Sequence, residues 1–334
     1  MKKGVIFAIV VSLLFAEAGS VFAAGGGEKG AKKLTIAGMV YQDDEFMNDL
    51  ILGMKAAAVE EDINLLTSNV NGDQSREVEL INTYVDQKVD GICIAPMDPN
   101  TSIATLRNAA AKGVKITTVN MQLSNVDFLS GGYCSDDYTN GHLVGEDAVK
   151  WIKARNYNRP VKFALLHYDT QNPVQSGARY GGFFDALKEA GIQYTIVAKQ
   201  PGEQIDLALA AATDIMTAHP DIDLFFCSHG LSMLGAVSAV AQSGNAGKYF
   251  VFGYDVNQLV AEMILSDENI LQASIAQDPY VQGYNAIKQL VKVIRGEQKA
   301  FGDAVIVPGI VLSKNDPNNI ISFLKSKYNV TYKR

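Results

Sequence analysis

The chain has 334 residues, of which 48% are hydrophobic, and it carries a formal net charge of −7. A mildly acidic chain is a poor candidate for binding the phosphate backbone, so no nucleic-acid partner is expected. Its three cysteines cannot all pair, and their spacing does not resemble a zinc site. Each cysteine lies in or at the end of an apolar run, so we expect Cys93, Cys134 and Cys227 to be buried free thiols. A Cys93–Cys134 disulfide stays open as the alternative.

The first 23 residues have the layout of a secretory signal peptide. Two lysines precede an apolar run from Val5 to Phe15, and small residues follow as far as Ala23. The apolar run is too short to cross a bilayer as a helix. We therefore expect residues 1–23 to be removed, residues 24–32 to be a flexible Gly-rich segment, and the mature protein to be exported. Ala16-Glu17-Ala18 offers a second cleavage site.

Downstream, short β-branched runs alternate with longer amphipathic ones. Runs such as "GICIA" and "FVFG" are apolar throughout, which is typical of strands in a parallel sheet covered by helices on both faces. The alternation occurs once as far as Val119 and again from Lys162, which predicts two doubly wound α/β domains. The predicted strands are 34–39, 64–67, 91–95, 115–119, 131–134, 162–166, 194–197, 224–227, 250–253 and 272–276. The predicted helices are 46–62, 76–87, 101–111, 139–154, 176–190, 206–218, 232–242, 259–266, 281–295 and 318–327.

Hydrogen-bonding side chains follow almost every predicted strand. In open α/β sheets, ligands bind outside the carboxyl ends of the strands. These ends therefore predict a binding site shared by the two domains. The polar strand ends include Tyr41, Asp43 and Asp44, Asp98, Asn120 and Gln122, Ser135 and Asp136, His167 and Asp169, Ser228 and His229, Asp255, and Gln277 and Asp278.

Seven segments, in this order and at this spacing, resemble one known family. The chain is similar to the ribose- and galactose-type periplasmic binding proteins, which are the solute receptors of bacterial sugar importers. The lactose-repressor family shares the fold, but it carries a DNA-binding helix-turn-helix where this chain has the signal-peptide pattern. The segments are "DGICIAPMDPNT", "AAAKGVKITTVN", "SDDYTNGHLVGEDAV", "ARYGGFFDAL", "TAHPDIDLFFCSHGLSMLGAVSAV", "FVFGYD" and "SIAQDPYVQGYNA".

This resemblance implies the type I periplasmic binding protein fold, with two Rossmann-like lobes joined by a three-segment hinge. It places the crossings near Ser135–Asp136, Gln277–Asp278 and Val307–Pro308. The N-terminal lobe would comprise 33–135 plus 278–306, and the C-terminal lobe 136–277 plus 307–334. In this family the ligand binds between the lobes, and the hinge closes over it.

The resemblance also assigns three ligand-binding residues. Asp255 ends the segment "FVFGYD", and its carboxylate can accept hydrogen bonds from two adjacent hydroxyls, although it could instead cap the next helix. Gln277 can donate to one hydroxyl and accept from another, or it can bond the hinge backbone. Arg179 matches the family's R-x-x-G-F helix start and offers several donors, with a surface arginine as the alternative.

The acidic stretch "YQDDEF" follows the first predicted strand. In the family this loop supplies a polar residue and, two positions later, an aromatic that stacks on the sugar ring, which implies Asp44 and Phe46. The alternative is that the carboxylates cap the next helix and complement its dipole. A metal site would need further oxygen ligands at a defined spacing, and none is found. Tyr41 is an additional candidate for the cleft.

Several strand ends depart from the family pattern. Asn120-Met121 stands where sugar-binding members usually carry Asp-Arg, His229-Gly230 stands where they usually carry Asn-Asp, and Ala95 replaces a common asparagine. Asn120 and His229 complete the predicted site, with Gln122 and His167 as additional candidates. Because these changes alter the pattern of donors and acceptors, we do not expect a plain ribose or galactose receptor. A modified sugar, a polyol or cyclitol, and a small furanosyl signal stay open.

The resemblance implies a periplasmic solute-binding protein of an ABC importer. It would capture a small sugar or sugar-like ligand between its lobes and deliver it to a permease in the inner membrane, without enzymatic activity or a cofactor. One alternative is a sensor that presents its ligand to a chemoreceptor or a sensor kinase. Another is an exported hydrolase with His229 as general base and Cys227 or Asp255 as its partner, but no sequence motif supplies that constellation.

Overall fold

The computed structural model of the protein describes residues 33–123 and 126–331. The predicted signal peptide and the Gly-rich segment 24–32 lie outside these residues. The strands are β1 Thr35–Val40, β2 Asn64–Asn69, β3 Gly91–Ile94, β4 Lys115–Asn120, β5 Leu129–Cys134, β6 Val161–His167, β7 Tyr194–Pro201, β8 Leu224–Cys227, β9 Phe250–Tyr254, β10 Leu271–Ala276, β11 Ala304–Ile306 and β12 Ile310–Ser313. The helices are α1 Glu45–Glu60, α2 Gln74–Asp86, α3 Thr101–Ala111, α4 Asp137–Arg155, α5 Pro173–Glu189, α6 Ile205–Ala218, α7 Gly230–Gln242, α8 Gln258–Leu265, α9 Pro279–Ile294 and α10 Pro317–Tyr328.

Two six-stranded sheets organise the described residues. Their strand orders are β11-β5-β4-β3-β1-β2 and β12-β10-β9-β8-β6-β7. All pairings are parallel except that of β10 with β12. The predicted class of two doubly wound α/β lobes is therefore confirmed. The sequence analysis did not predict β11 and β12: both are apolar, β-branched runs, but they are only three and four residues long and are separated by a segment that contains Pro308 and Gly309.

The chain passes between the two sheets three times. The connecting segments are 135–136, 277–278 and 307–309. Helix α9 follows the second crossing and packs against α1 of the first sheet's lobe, whereas α10 packs against α8 and β12 of the other. This arrangement supports the proposed lobe limits of 33–135 plus 278–306 and 136–277 plus 307–334.

The centre of each sheet is buried on both faces, which explains why strands such as β3 and β8 are apolar throughout. In the first sheet, Cys93 of β3 packs into one core cluster and its neighbour Ile92 packs into the other. In the second sheet, Phe226 and Cys227 of β8 alternate in the same way. All three cysteines are free and buried, as predicted, so the Cys93–Cys134 disulfide does not form.

Glycines let the covering helices of each lobe meet at backbone distance. A Cβ added at Gly141 of α4 would lie 2.0 Å from the carbonyl oxygen of Arg179, and one at Gly182 of α5 would lie 2.1 Å from that of Tyr138. The pair α1 and α9 repeats this geometry, with Gly53 against Tyr280 and Gly283 against Leu50. At these distances only a residue without a Cβ fits, so each helix pair is held in one register.

Replacing Gly182 by alanine is expected to lower the free energy of unfolding by about 1–3 kcal/mol, because the opposing atoms belong to backbone and cannot move aside cheaply. Its neighbour Gly181 is a matched control, since an added Cβ there meets no atom within 4 Å. Gly181→Ala should be neutral or stabilise by up to about 1 kcal/mol through helix propensity. Urea denaturation of both variants measures the difference, and equal stabilities would show that the helices can separate without cost.

Candidate functional site

A cleft between the two lobes encloses a cavity of about 120 Å³. Its walls come from the carboxyl ends of strands in both sheets and from the first turns of the helices that follow them. One water needs about 10–15 Å³ of such volume, so the cavity holds on the order of ten waters or one solute of that size. The cavity therefore lies at the strand ends, and its role as the binding site stays a prediction.

Asp255 and Gln277 form a hydrogen-bonded pair on the cleft wall. Gln277 Nε2 donates to Asp255 Oδ1 at 2.7 Å, and the backbone N–H of Gly230 donates to Oδ2 at 2.9 Å. Asp255 follows β9 with φ +69°, a left-handed conformation that Asp tolerates. The helix-capping alternative does not apply, because Asn257 accepts from Val260 N and caps α8 instead. Each carboxylate oxygen of Asp255 retains a lone pair for a further donor.

Arg179 is buried between two aromatic rings rather than lying on the surface. Its guanidinium carbon lies 3.9 Å from the ring centroid of Tyr254 and 5.4 Å from that of Tyr168. Nε donates to Asp137 Oδ1 at 2.7 Å, and Nη1 donates to the carbonyl of Ser228 at 3.1 Å. Burial raises the pKa of the Asp137 carboxyl, and Arg179 opposes that shift. The arginine is thus fixed by its own lobe before any ligand arrives.

The loop "YQDDEF" places both Asp44 and Phe46 on the cleft wall. Asp44 also caps α1, since Oδ1 accepts from Met47 N at 2.8 Å, and its Oδ2 accepts from the side-chain amide of Gln42. The two interpretations of this carboxylate are therefore compatible. Burial raises the pKa of Asp44. The apolar ring and the carboxylate together give this wall one surface for C–H groups and one for hydroxyls.

Asn120 links the two lobes at the centre of the cleft. Its Nδ2 donates to the Tyr41 hydroxyl at 3.3 Å, and its Oδ1 accepts from Gln175 Nε2 of the opposite lobe at 3.3 Å. The residue ends β4 in a left-handed conformation, with φ +66°, and lines the cavity. Tyr41 lines the cavity as well, as the sequence predicted.

His229 lies buried against Tyr168, with 4.6 Å between the ring centroids. Its Nδ1 is 2.8 Å from Ser232 Oγ, and its Nε2 is 3.4 Å from the carbonyl oxygen of Glu203. Burial lowers the pKa of His229 to about 4, with Arg179 adding to the shift and Asp255 opposing it. Its proposed partner Cys227 is buried in the core, where desolvation raises the pKa of the thiol. The pair therefore does not form a nucleophile and base.

The neutral state of His229 predicts a loss of stability in acid. Its pKa is about 4 in the folded protein, against 6.5 for an ordinary histidine side chain, so the unfolded chain binds the extra proton between these pH values. The contribution of His229 to the free energy of unfolding should consequently fall by about 3 kcal/mol as the pH drops from 6.5 to 4. Urea denaturation at several pH values gives the free energy of unfolding as a function of pH. Its slope against pH should be shallower for His229→Gln than for the wild type, whereas His219→Gln should keep the wild-type slope. A wild-type slope in His229→Gln would show that the protonation of His229 is not the source of the pH dependence.

Two additional candidates do not line this cleft. Gln122 is exposed beyond the end of β4. The His167 ring turns back to Asp169, whose backbone N–H donates to Nδ1 at 3.1 Å and whose Oδ2 lies 3.4 Å from the same nitrogen. Because side chains alternate along a strand, the next residue, Tyr168, takes the place beside the cavity.

The sequence analysis missed the residues that the first turn of α5 and its preceding loop contribute, although it predicted Arg179 further along the same helix. Tyr168, Asn172 and Gln175 all line the cavity and are buried. Asn172 caps α5 by accepting from Gln175 N, and Pro173 follows as the first helical residue. The Asn-Pro pair is a typical helix start and could have placed this helix end beside the strand ends.

Among the residues that the structure describes, three polar side-chain contacts join the lobes across the cleft. Gln175 bonds Asn120, Lys327 Nζ lies 3.7 Å from Asp49 Oδ2, and the side-chain amide of Asn257 bonds Glu45. These contacts bring side chains of the two lobes together on either side of the cavity. Within the described ranges, no helix is both long and apolar enough to cross a membrane. The same residues contain no cluster of three or more side chains suited to a metal ion.

A periplasmic binding protein domain matches residues 38–298. The chain therefore belongs to the periplasmic binding protein family, which confirms the resemblance. It is 28% identical over 281 residues to the ABC transporter periplasmic-binding protein YphF of Escherichia coli K12, covering 82% of this chain and 84% of that protein. It is also 28% identical over 231 residues to a D-ribose/D-allose-binding protein of Pseudomonas aeruginosa, covering 67% and 69%. These relatives are binding proteins of transport systems, and the chain is a binding protein rather than an enzyme.

Solved structures share the same fold. An ABC transporter solute-binding protein from Actinobacillus succinogenes with bound D-allose aligns with a TM-score of 0.75 at 25% identity, covering 86% of this chain and all of that one. A solute-binding protein from Bacillus halodurans with bound myo-inositol aligns with a TM-score of 0.77 at 18% identity, covering 86% and 96%. The second likeness concerns the fold alone.

Proposed function

We propose that this protein is the periplasmic receptor of an ABC importer and captures a small sugar or sugar-like ligand, such as a modified sugar, a polyol or a cyclitol. The observation that carries this proposal is the cavity of about 120 Å³ enclosed between the lobes and lined by Asp44, Asp255 and Arg179 with the ring of Phe46. Carboxylates and a guanidinium suit a solute rich in hydroxyls, and the ring suits its C–H face. The sugar-binding relatives point to the same class of ligand.

In this proposal, the ligand favours the closed form because it contacts both lobes at once. Asp44, Phe46 and Asn120 belong to one lobe, and Arg179, His229 and Asp255 to the other. A ligand that spans both sets binds the closed form more tightly than the open one and shifts the population toward closure. The closed protein then docks on a permease in the inner membrane. Presentation to a chemoreceptor or a sensor kinase is the alternative use of the same closed form.

Thermal unfolding of the mature protein against millimolar sugars, polyols and cyclitols tests the proposal. A ligand present at a thousand times its Kd adds about 4 kcal/mol, which raises the Tm by several degrees. The protein is first unfolded and refolded to release any ligand that co-purifies, and the released material is identified by mass spectrometry. We expect at least one member of the panel to raise the Tm. A panel without effect and no sugar in the released material would reject the proposal.

A further inference from the structure

A series of buried hydrogen bonds runs from the hinge to the far wall of the cleft. Gln282 of α9 donates from Nε2 to Ser135 Oγ in the first connecting segment, and its Oε1 accepts from the backbone N–H of Asn120, both at 3.1 Å. Asn120 Oδ1 accepts from Gln175 Nε2 at 3.3 Å, and Gln175 Oε1 accepts from the Tyr168 hydroxyl at 2.9 Å. All five residues are buried. The series therefore connects a hinge segment with the cavity walls of both lobes.

The backbone N–H of Asn120 fixes the orientation of the Gln282 amide. A backbone N–H can only donate, so the atom that faces it must be Oε1, and Nε2 is then directed at Ser135. Gln282 is 0% exposed and does not line the cavity. Its side chain therefore acts on the cavity only through the groups that it bonds.

The backbone at Asn120 forms a strained turn. Met121 N donates to Val119 O at 2.7 Å, so Asn120 is the central residue of a three-residue turn, and its φ is +66°. A γ-turn with positive φ at its central residue is the rare and strained form. Such strain persists only where the surrounding structure holds the residue in place. The bond from Asn120 N to Gln282 supplies a restraint of this kind at the centre of the turn.

The turn determines where the Asn120 amide lies in the cavity. The amide bonds Tyr41 of its own lobe through Nδ2 and Gln175 of the opposite lobe through Oδ1, and all three residues line the cavity. Both bonds measure 3.3 Å, slightly beyond the usual range of about 2.7–3.2 Å for N–H···O bonds. A small displacement of the turn is therefore enough to break them.

We propose that Gln282 is a positioning residue for the ligand site and acts through the backbone of Asn120. This inference rests on the proposed function and extends it to a side chain behind the cavity wall. Gln282 ties the strained turn to the hinge segment at Ser135, and the turn fixes the amide that the ligand meets between the lobes. Ligand affinity consequently depends on Gln282, although this residue does not touch the ligand.

Gln282→Met tests the inference on the refolded mature protein by isothermal titration calorimetry. Methionine keeps the approximate shape of the side chain and removes both hydrogen bonds. The probe is whichever of D-allose, D-ribose and myo-inositol raises the wild-type Tm most, or the sugar released on unfolding if none of them does. We expect Gln282→Met to bind this probe about tenfold more weakly, which corresponds to the loss of one hydrogen bond.

Gln289→Met is the matched control. Gln289 lies two turns further along α9, is also buried, and donates from Nε2 to the carbonyl oxygen of Ser130 in β5 at 3.1 Å. Both variants lose a bond of a buried glutamine on the same helix, so both should lower the Tm. Gln289 does not line the cavity. Gln289→Met should therefore bind the probe within about twofold of the wild type.

Two further variants test whether the effect passes through Asn120. Gln282→Glu keeps an oxygen that accepts from Asn120 N and a second oxygen that bonds the Ser135 hydroxyl in either protonation state, so it should bind the probe more tightly than Gln282→Met. Asn120→Gly tolerates the positive φ and removes the amide that Gln282 positions. In that background, Gln282→Met should change the affinity by less than about twofold, because no side chain remains to be positioned.

Ser135→Ala tests the same link if Gln282→Met does not fold. It removes the group to which Gln282 Nε2 is anchored and leaves the bond to Asn120 N in place. This variant should bind the probe about threefold more weakly than the wild type. Wild-type affinity would show that the anchor at the hinge does not position the site.

The outcomes separate the inference from the function on which it rests. Wild-type affinity in Gln282→Met, or an equal loss in Gln289→Met, would overturn the inference and leave the sugar-receptor function standing. An undiminished effect of Gln282→Met in the Asn120→Gly background would also overturn it, since Gln282 would then act by another route. If the wild type binds no probe and releases no sugar, the proposed function fails and the inference fails with it.

Discussion

Replacing Arg179 by methionine is expected to lower the free energy of unfolding by about 3–5 kcal/mol and to abolish ligand binding. Arg179 is 4% exposed, and its Nε is the partner of the Asp137 carboxylate. Methionine fills part of the volume between Tyr168 and Tyr254 but leaves Asp137 buried without its cation. Removing one partner of a buried ion pair costs this much because the other charge stays uncompensated. Urea denaturation at pH 7 measures the loss.

A second substitution identifies the source of that loss. Asp137→Asn removes the charge that Arg179→Met leaves behind, so the double variant should recover a large part of the stability. Ligand binding should not recover, since the guanidinium donors are still absent from the cavity. If the double variant were as unstable as Arg179→Met, the loss would come from packing against the two tyrosine rings and not from the charge.

Asp255→Asn is expected to weaken ligand binding by at least about thirtyfold while changing the free energy of unfolding by about 1 kcal/mol. The carboxylate accepts from Gly230 N and Gln277 Nε2, and Asp255 lines the cavity with capacity to accept further hydrogen bonds. Losing one partner of a buried charge-assisted contact costs about 2–5 kcal/mol of binding free energy. Asparagine is the suitable replacement because it tolerates the left-handed conformation of this position, where φ is +69°.

Asp62 provides the matched control for Asp255. It also has a left-handed conformation, with φ +51°, but it is exposed at the far end of α1 and pairs with Lys33. Asp62→Asn therefore measures the effect of an Asp-to-Asn change at a left-handed position outside the cleft. Titration calorimetry with the ligand identified by the sugar panel should show wild-type affinity for Asp62→Asn. Wild-type affinity in Asp255→Asn would show that the Asp255 carboxylate does not contribute to ligand binding.

The position of the cleft could be predicted from sequence because strand ends are local features. Asp44, Asn120, His229, Asp255 and Gln277 each follow an apolar run, and parallel strands bring such ends to one edge of a sheet. Eight of the ten predicted residues line the cavity. Their roles toward a ligand stay predictions until a ligand is bound.

The remaining features depend on side-chain direction and on contacts between distant segments. His167 and Tyr168 are adjacent in sequence, and only the strand geometry decides that the tyrosine faces the cavity. The partnership of Arg179 with Asp137 and the link from Asn120 to Gln175 join residues 42 and 55 positions apart. The periodicity of apolar residues along the sequence does not indicate such pairs. Strands β11 and β12 were missed although their residues are apolar and β-branched, since each is only three or four residues long and is defined by its pairing with β5 or β10.

The burial of all three cysteines leaves the protein without a readily modified thiol. Desolvation raises the pKa of Cys134 to about 12 and raises the pKa values of Cys93 and Cys227 as well, so little thiolate exists at neutral pH. A cysteine introduced at the exposed position Asp43, on the rim of the cleft, would then react alone with a maleimide dye. Such a conjugate would convert lobe closure into a fluorescence signal and make the protein an optical sensor for its own ligand.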